Sequence, residues 1–201
     1  DGADPINLYK NNNSSSINIL NQKRLNIGYV GHLHKGRGID IILNVAEKII
    51  SHDFHIVGGT KKDIDYWKSV NKQNNVIFHG YKINSEINGI LSEFDILLAP
   101  YQKEVFLKNG LNTALWMSPL KIFEYMSAGK AIISSKLSAL EEVLINDYNS
   151  LLVTPDSLKE WTHAINKLCE DNELRKKIAD QALIDFNKNY TWEKRVKLIF
   201  T

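Results

Sequence analysis

Ser118-Pro119-Leu120-Lys121-Ile122-Phe123-Glu124-Tyr125-Met126-Ser127-Ala128-Gly129-Lys130-Ala131-Ile132-Ile133 reads as a capped helix, a tight turn and a buried strand. The Ser118 hydroxyl suits an N-cap, accepting from a free backbone N–H of the first turn. Pro119 then falls at the first helical position, where its missing N–H costs nothing. Leu120, Phe123 and Met126 make an apolar stripe, and Gly129 supplies a left-handed stop. Lys121 and Glu124 share another face, three residues apart. On an isolated helix such a pair is commonly solvated and worth a few tenths of a kcal/mol. The same helix start, with unpaired N–H groups and a positive dipole end, suits a phosphate. Glu124, one turn further in, can accept hydrogen bonds from sugar hydroxyls.

Working outward, strand and helix signals alternate from residue 25 to the end. Apolar runs at Leu25–Val30, Phe54–Val57, Asn75–Phe78, Asp95–Ala99, Ala131–Ser134 and Leu151–Val153 predict strands. Helices are predicted after Gly38, over 61–72, 85–92, 139–144, from 158 to about 188, and from Trp192 onward. Short apolar strands alternating with helices imply an α/β fold, a doubly wound parallel sheet of Rossmann-like type. In the commonest strand order the winding reverses between the first and fourth strands, and ligands bind beyond their C-terminal ends. Those ends carry the Gly31–Gly38 loop and the long connection from Pro100 to Ser118, so Lys121, Glu124 and the glycine loop fall around one crevice.

The 201 residues fit one medium domain, expected over 23–201 and preceded by a linker and flexible loop over 1–22, rich in Asn and Ser. A formal net charge of +2 gives no electrostatic case for nucleic acid. Cys169 is the only cysteine, so no internal disulfide forms and a reducing compartment fits. It reads as a small buried apolar residue. There is no run of about 18 apolar residues and no signal-peptide pattern.

Gly31-x-x-x-x-Gly36-Arg37-Gly38 nearly matches a phosphate-cradling P-loop, but carries Arg37 and Gly38 where that motif needs Lys and a magnesium-binding hydroxyl. The dinucleotide fingerprint also fails, because the second strand ends in Gly58-Gly59 and not in an acidic residue. What survives is a glycine loop for close approach to phosphate, with one guanidinium able to make two parallel hydrogen bonds. His32 and His34 lack the Cys, His or Asp partners of a metal site. His52, His55, His79 and His163 read as surface or core fillers, and no hydrolase triad is recognisable.

Together these residues resemble the C-terminal, donor-binding domain of retaining GT-B glycosyltransferases of the group 1 family. Asp1-Gly2-Ala3-Asp4 is similar to the family's "NGVD" entry linker. Tyr29-Val30-Gly31-His32-Leu33 with Arg37-Gly38-Ile39-Asp40 resembles "VGRL…KGVD". Phe78-His79-Gly80-Tyr81 and Phe94-Asp95-Ile96-Leu97-Leu98-Ala99-Pro100 resemble its third and fourth strands with their exits. Phe123–Ile132 corresponds to "LEAMACGTPVI", and Glu141-Glu142-Val143 to "PEV".

The resemblance implies roles. Arg37 stands where a Lys binds the donor diphosphate, and His32 where an Arg does so. With Gly31, Gly36 and the backbone around Leu120 and Lys121 they form the expected diphosphate site. Glu124 aligns with the glutamate that holds the ribose, and Tyr81 lies where the base rests. Arg37 and Glu124 are the implied catalytic residues. The family's E-x7-E pattern places a first glutamate, which touches the donor sugar, where this chain has Trp116. Glu104 is its candidate replacement.

The implied reaction is a hexosyltransferase step. It moves a sugar from a nucleoside diphosphate sugar, a UDP-sugar by preference, to a hydroxyl of a lipid-linked oligosaccharide with retention. No cofactor or metal is implied. The implied setting is bacterial surface-polysaccharide assembly of the O-antigen or lipopolysaccharide type. The intact enzyme would be cytoplasmic and peripheral at the inner face of the membrane. The acceptor site would belong to an N-terminal domain that this chain lacks, leaving the isolated fragment inactive. Two alternatives are a non-catalytic nucleotide-sugar-binding module and a nucleotide-sugar epimerase of similar architecture.

Overall fold

In the computed structural model the described residues are 2–6, 24–104, 112 and 120–199. The expectations for Ser118 and Pro119 as a cap, and for Trp116, lie outside them. Strands β1 (Asn26–Val30), β2 (Asp53–Val57), β3 (Val76–Gly80), β4 (Ile96–Ala99), β5 (Ala131–Ser135) and β6 (Leu151–Val153) form one parallel sheet in the order β3-β2-β1-β4-β5-β6. The winding therefore reverses between β1 and β4. The central strands β4 and β5 are buried on both faces, which is why they read as continuous apolar runs.

Among the described residues there are eight helices: α1 (Ile39–Lys48), α2 (Lys61–Val70), α3 (Asn84–Ser92), α4 (Leu120–Ser127), α5 (Ser138–Glu141), α6 (Leu158–Glu170), α7 (Asn172–Asn189) and α8 (Trp192–Ile199). One core layer packs Ile27, Tyr29, Phe54 and Ile56 against α1 and α6, with Trp161 wholly enclosed. The opposite layer packs Val57, Leu97 and Ile132 against α3, α4 and α7.

Local chemistry sets the ends. Thr60 caps α2 in a reciprocal box with Asp63, and the helix stops at Val70, short of the expected 72, because Asn71 is extended. The expected helical stretch from 158 divides at Asp171, whose carboxylate accepts from Leu174 N–H at 2.8 Å and starts α7. Gly129 takes the left-handed conformation (φ 61°) expected of a stop after α4. Residues 2–6 are stitched to the other end of the domain: Ala3 N–H donates to Tyr190 O at 3.1 Å and Trp192 N–H to Ala3 O at 3.2 Å.

Candidate functional site

The two halves of the sheet part at the switch point. β1 and β4 pair only at Ile27–Ile96 and Gly28–Leu97, then diverge. Backbone groups beyond the split lose their partners, and Tyr125 replaces them. Its hydroxyl accepts from Val30 N–H at 2.9 Å and lies 3.3 Å from Leu98 O. The phenol of a helix residue thus holds open the crevice that doubly wound sheets use for ligands.

The glycine loop and the exit of β4 meet there. Gly31 leaves β1 with φ 151°, its N–H donating to Val57 O at 2.9 Å. A Cβ on Gly31 would lie 2.5 Å from Lys121 Nζ, so its bare backbone leaves room for that ammonium. Gly38 (φ 75°) starts α1 pressed against Pro100, where a Cβ would meet the Pro100 carbonyl oxygen at 1.9 Å. Gln102 N–H donates to Gly36 O at 2.9 Å, tying the glycine loop to the exit of β4.

Arg37 and Lys121 converge on Tyr101. The Arg37 guanidinium lies 5.3 Å from the centre of that ring and Lys121 Nζ 5.1 Å from it. Lys121 Nζ also stands 4.0 Å above the ring of Tyr29. It is enclosed and has no hydrogen-bond partner among the described residues, and the same holds for Arg37 Nε. The solvated Lys–Glu pair that the isolated helix permits is therefore not what forms. Burial, and then the neighbouring Arg37 charge, push the Lys121 ammonium well below the usual lysine range, while Glu124 opposes the shift. Glu124 stands at the crevice mouth, its surface largely open although its carboxyl is partly desolvated. That desolvation raises its carboxyl above the ordinary range, against the pull of Lys121. Burial likewise raises the Tyr101 phenol.

The other expected residues scatter around this centre. His32 is exposed and its ring stacks on His34 at 5.3 Å, while its carbonyl accepts from the Tyr29 hydroxyl. Leu120, at the first described turn of α4, is 46% exposed. Tyr81 follows β3 and is 74% exposed, at the same end of the sheet as the crevice. Glu104 opens onto a separate groove of about 1040 Å³ between the glycine loop and α2, lined also by Leu33, Tyr66 and Trp67; Lys121 and Glu124 do not line it. Cys169 is half-buried, and burial pushes its thiol up to about 12, which fits an inert packing residue.

Sequence reading passed over the three tyrosines that build the crevice. Tyr29 and Tyr125 lie within quoted motifs and Tyr101 directly follows one, but no spacing links residues 29, 101 and 125. It also passed over a polar chain on the α3 side of the sheet. His79 Nε2 lies 2.9 Å from His55 Nδ1, and His55 Nε2 lies 3.1 Å from Asn26 Oδ1. Among the described residues no group of three or more His, Cys, Asp or Glu is placed to hold a metal ion. No described helix is long and apolar enough to cross a membrane.

Residues 24–171 match the family of group 1 glycosyl transferases. An uncharacterized glycosyltransferase of Methanocaldococcus jannaschii is 30% identical over 187 residues, covering 88% of this chain and 44% of the relative. The N,N'-diacetylbacillosaminyl-diphospho-undecaprenol alpha-1,3-N-acetylgalactosaminyltransferase of Campylobacter jejuni is 27% identical over 149 residues, covering 73% and 36%. The chain thus spans less than half the length of these relatives. Among solved structures, Anabaena HepE in complex with UDP superposes with a TM-score of 0.74 at 20% identity, over 89% of this chain and 48% of that one. The C-terminal domain of a group 1 glycosyl transferase from Francisella tularensis gives 0.66 at 23% identity, over 84% and 87%. The fold is that of the C-terminal half of a GT-B enzyme, and the chain belongs to the group 1 glycosyl transferase family.

Proposed function

We propose that this domain binds a nucleoside diphosphate sugar, a UDP-sugar by preference, and forms the donor half of a retaining hexosyltransferase. The observation that carries the reading is the convergence of two recessed basic side chains, Arg37 and Lys121, on one tyrosine ring at the switch point. A carboxylate, Glu124, stands at the mouth of the same crevice. The Gly31–Gly38 loop lets a diphosphate approach the backbone, and Arg37 and the start of α4 face its charge. His32 and Gly36 border that path. Glu124 takes the ribose hydroxyls and Tyr81 flanks the base. Glu104 lies on the far side of the glycine loop, so in this reading it reaches the donor sugar only from the loop's α2 side. Trp116 belongs to the connection that leads to α4.

In this reading the departing diphosphate is stabilised by fixed positive groups already in place before the bond breaks, so little reorganisation is needed. No metal or other cofactor is assigned. The lipid-diphosphate acceptor named for the Campylobacter relative supports a lipid-linked glycan acceptor. Bacterial surface-polysaccharide assembly at the inner face of the membrane is the corresponding setting. The acceptor would be held by a second domain.

Calorimetric titration of the chain with UDP, GDP and ADP, with Arg37→Ala as control, tests this. Binding of one diphosphate, weakened by the substitution, supports the donor site and names the base. Absence of binding to all three counts against it.

A further inference from the structure

Lys121 poses a question that diphosphate binding through backbone and Arg37 leaves unanswered. Its side chain runs inward from α4, and Nζ ends enclosed above Tyr29 with no hydrogen-bond partner among the described residues. A charged ammonium there has three unused donors and the Arg37 guanidinium across the same Tyr101 ring. Such a group is expensive to bury as a cation and cheap to bury as an amine. A neutral Nζ over the faces of two aromatic rings needs only modest solvation.

A bound anion reverses that balance. Nζ lies directly beside Gly31 at the start of the glycine loop, in space that a Cβ there would fill. A diphosphate on that loop would bring negative charge next to Nζ and offer oxygens to its donors.

We propose that Lys121 picks up a proton when the diphosphate of the donor binds, becoming a second cation only in the loaded site. This rests on the donor-site reading above. Every neighbouring group bears on the exchange. From β1, the Tyr29 phenol is raised by burial and stays protonated. From the β4 exit, the Tyr101 phenol is raised as well. From the glycine loop, Arg37 repels the new charge until the anion screens it, and His32 is a further imidazole on that loop. From α4, Glu124 favours the charged form of Lys121, and the buried Tyr125 phenol, also raised, does not exchange. The consequence is a binding site that presents less positive charge when empty, and so avoids the cost of two unpaired neighbouring cations in one crevice.

The test is calorimetry of UDP-glucose binding to this chain at pH 8 in several buffers of different ionisation enthalpy. UDP-glucose is chosen because its diphosphate is esterified at both ends and does not itself titrate there. The slope of observed heat against buffer enthalpy reads the protons taken up, and a value approaching one is expected. Affinity should then fall up to tenfold per pH unit as the pH rises through the window between the empty and loaded values of Lys121. In Lys121→Arg, which is always charged, and in Lys121→Met, the uptake should vanish. The ¹³Cε shift of Lys121 in the unmodified chain, read with and without UDP-glucose, gives the same answer without a substitution. Binding with no uptake overturns the inference while leaving the donor site standing. Uptake that survives Lys121→Arg assigns the proton to His32 or Glu124 and overturns it too. No binding of UDP-glucose, GDP-mannose or ADP-glucose overturns the donor-site reading and the inference with it.

Discussion

The hydroxyl of Tyr125 accepts a hydrogen bond from Val30 N–H at 2.9 Å, joining α4 to the end of β1 at the place where β1 and β4 separate. The same oxygen lies 3.3 Å from Leu98 O on the other side of the split. Replacing it leaves a buried N–H and a buried carbonyl unpaired. Tyr125→Phe should therefore cost about 1–3 kcal/mol of stability, read as a lower urea midpoint with little change in slope. A loss below about 0.5 kcal/mol would mean that water reaches the split.

Arg37 belongs to the glycine loop, and its guanidinium lies over Tyr101 at the exit of β4. Arg37→Ala should weaken diphosphate binding by roughly ten- to a hundredfold, the range of one charged hydrogen-bonded group. Thermal stability should fall only modestly, by about 1 kcal/mol, because the guanidinium's contact with Tyr101 is lost while Nε has no protein partner among the described residues. Calorimetry and a melting curve on the same sample separate the two effects.

Glu124 is expected to act on the ribose and not on the phosphates. Glu124→Gln should weaken binding of a nucleoside diphosphate about tenfold, and leave binding of inorganic pyrophosphate unchanged or improved. Equal losses for both ligands would move Glu124 from the ribose to the phosphate end.

Gly38 shows how tightly the glycine loop is seated. With φ 75° and Pro100 O 1.9 Å from a virtual Cβ, Gly38→Ala must both strain the backbone and displace the β4 exit. The expected cost is more than about 2 kcal/mol, read by chemical denaturation. Tyr101 and Gln102 follow Pro100, so nucleotide affinity should fall with stability.

The His55–His79 pair should make stability depend on acid. Burial lowers both imidazoles from the usual 6.5 to about 4, with the nearby His55 and Lys82 contributing to the shift of His79. Above pH 6.5 both are neutral in the folded and unfolded chain, and stability is full. As pH falls from 6.5 towards 4 the unfolded chain takes up protons first, so stability is lost across that window. The loss for the partly solvated pair is on the order of 2–4 kcal/mol. Urea titrations at pH 7.5 and 4.5 measure it, and a His55→Asn, His79→Asn double variant should flatten the dependence.

Much of the arrangement was legible in the residues. Apolar runs between turn residues located all six strands within about two residues, because a largely buried parallel strand tolerates little else. The glycines at 31, 38, 58 and 129 marked backbone turns that L side chains rarely make, and each has a positive φ. Helix ends were less legible: nothing in the apolar pattern announces that Asp171 turns its carboxylate onto Leu174 N–H, dividing one helical stretch into two.

By itself the sequence determined which segments are strands and helices, and that the glycine loop and the start of α4 lie on one edge of a doubly wound sheet. Periodicity and turn chemistry are local, and local interactions suffice for both. What covers a given helix face is not local. Lys121 and Glu124 share a face three residues apart, yet the Lys121 ammonium end is enclosed by Tyr29 and Tyr101 while Glu124 opens to solvent. Only the tertiary structure decided that difference. It brings the end of β1 and the exit of β4 over one side of α4, and the dielectric around a side chain is set by such distant neighbours, not by its position in the chain.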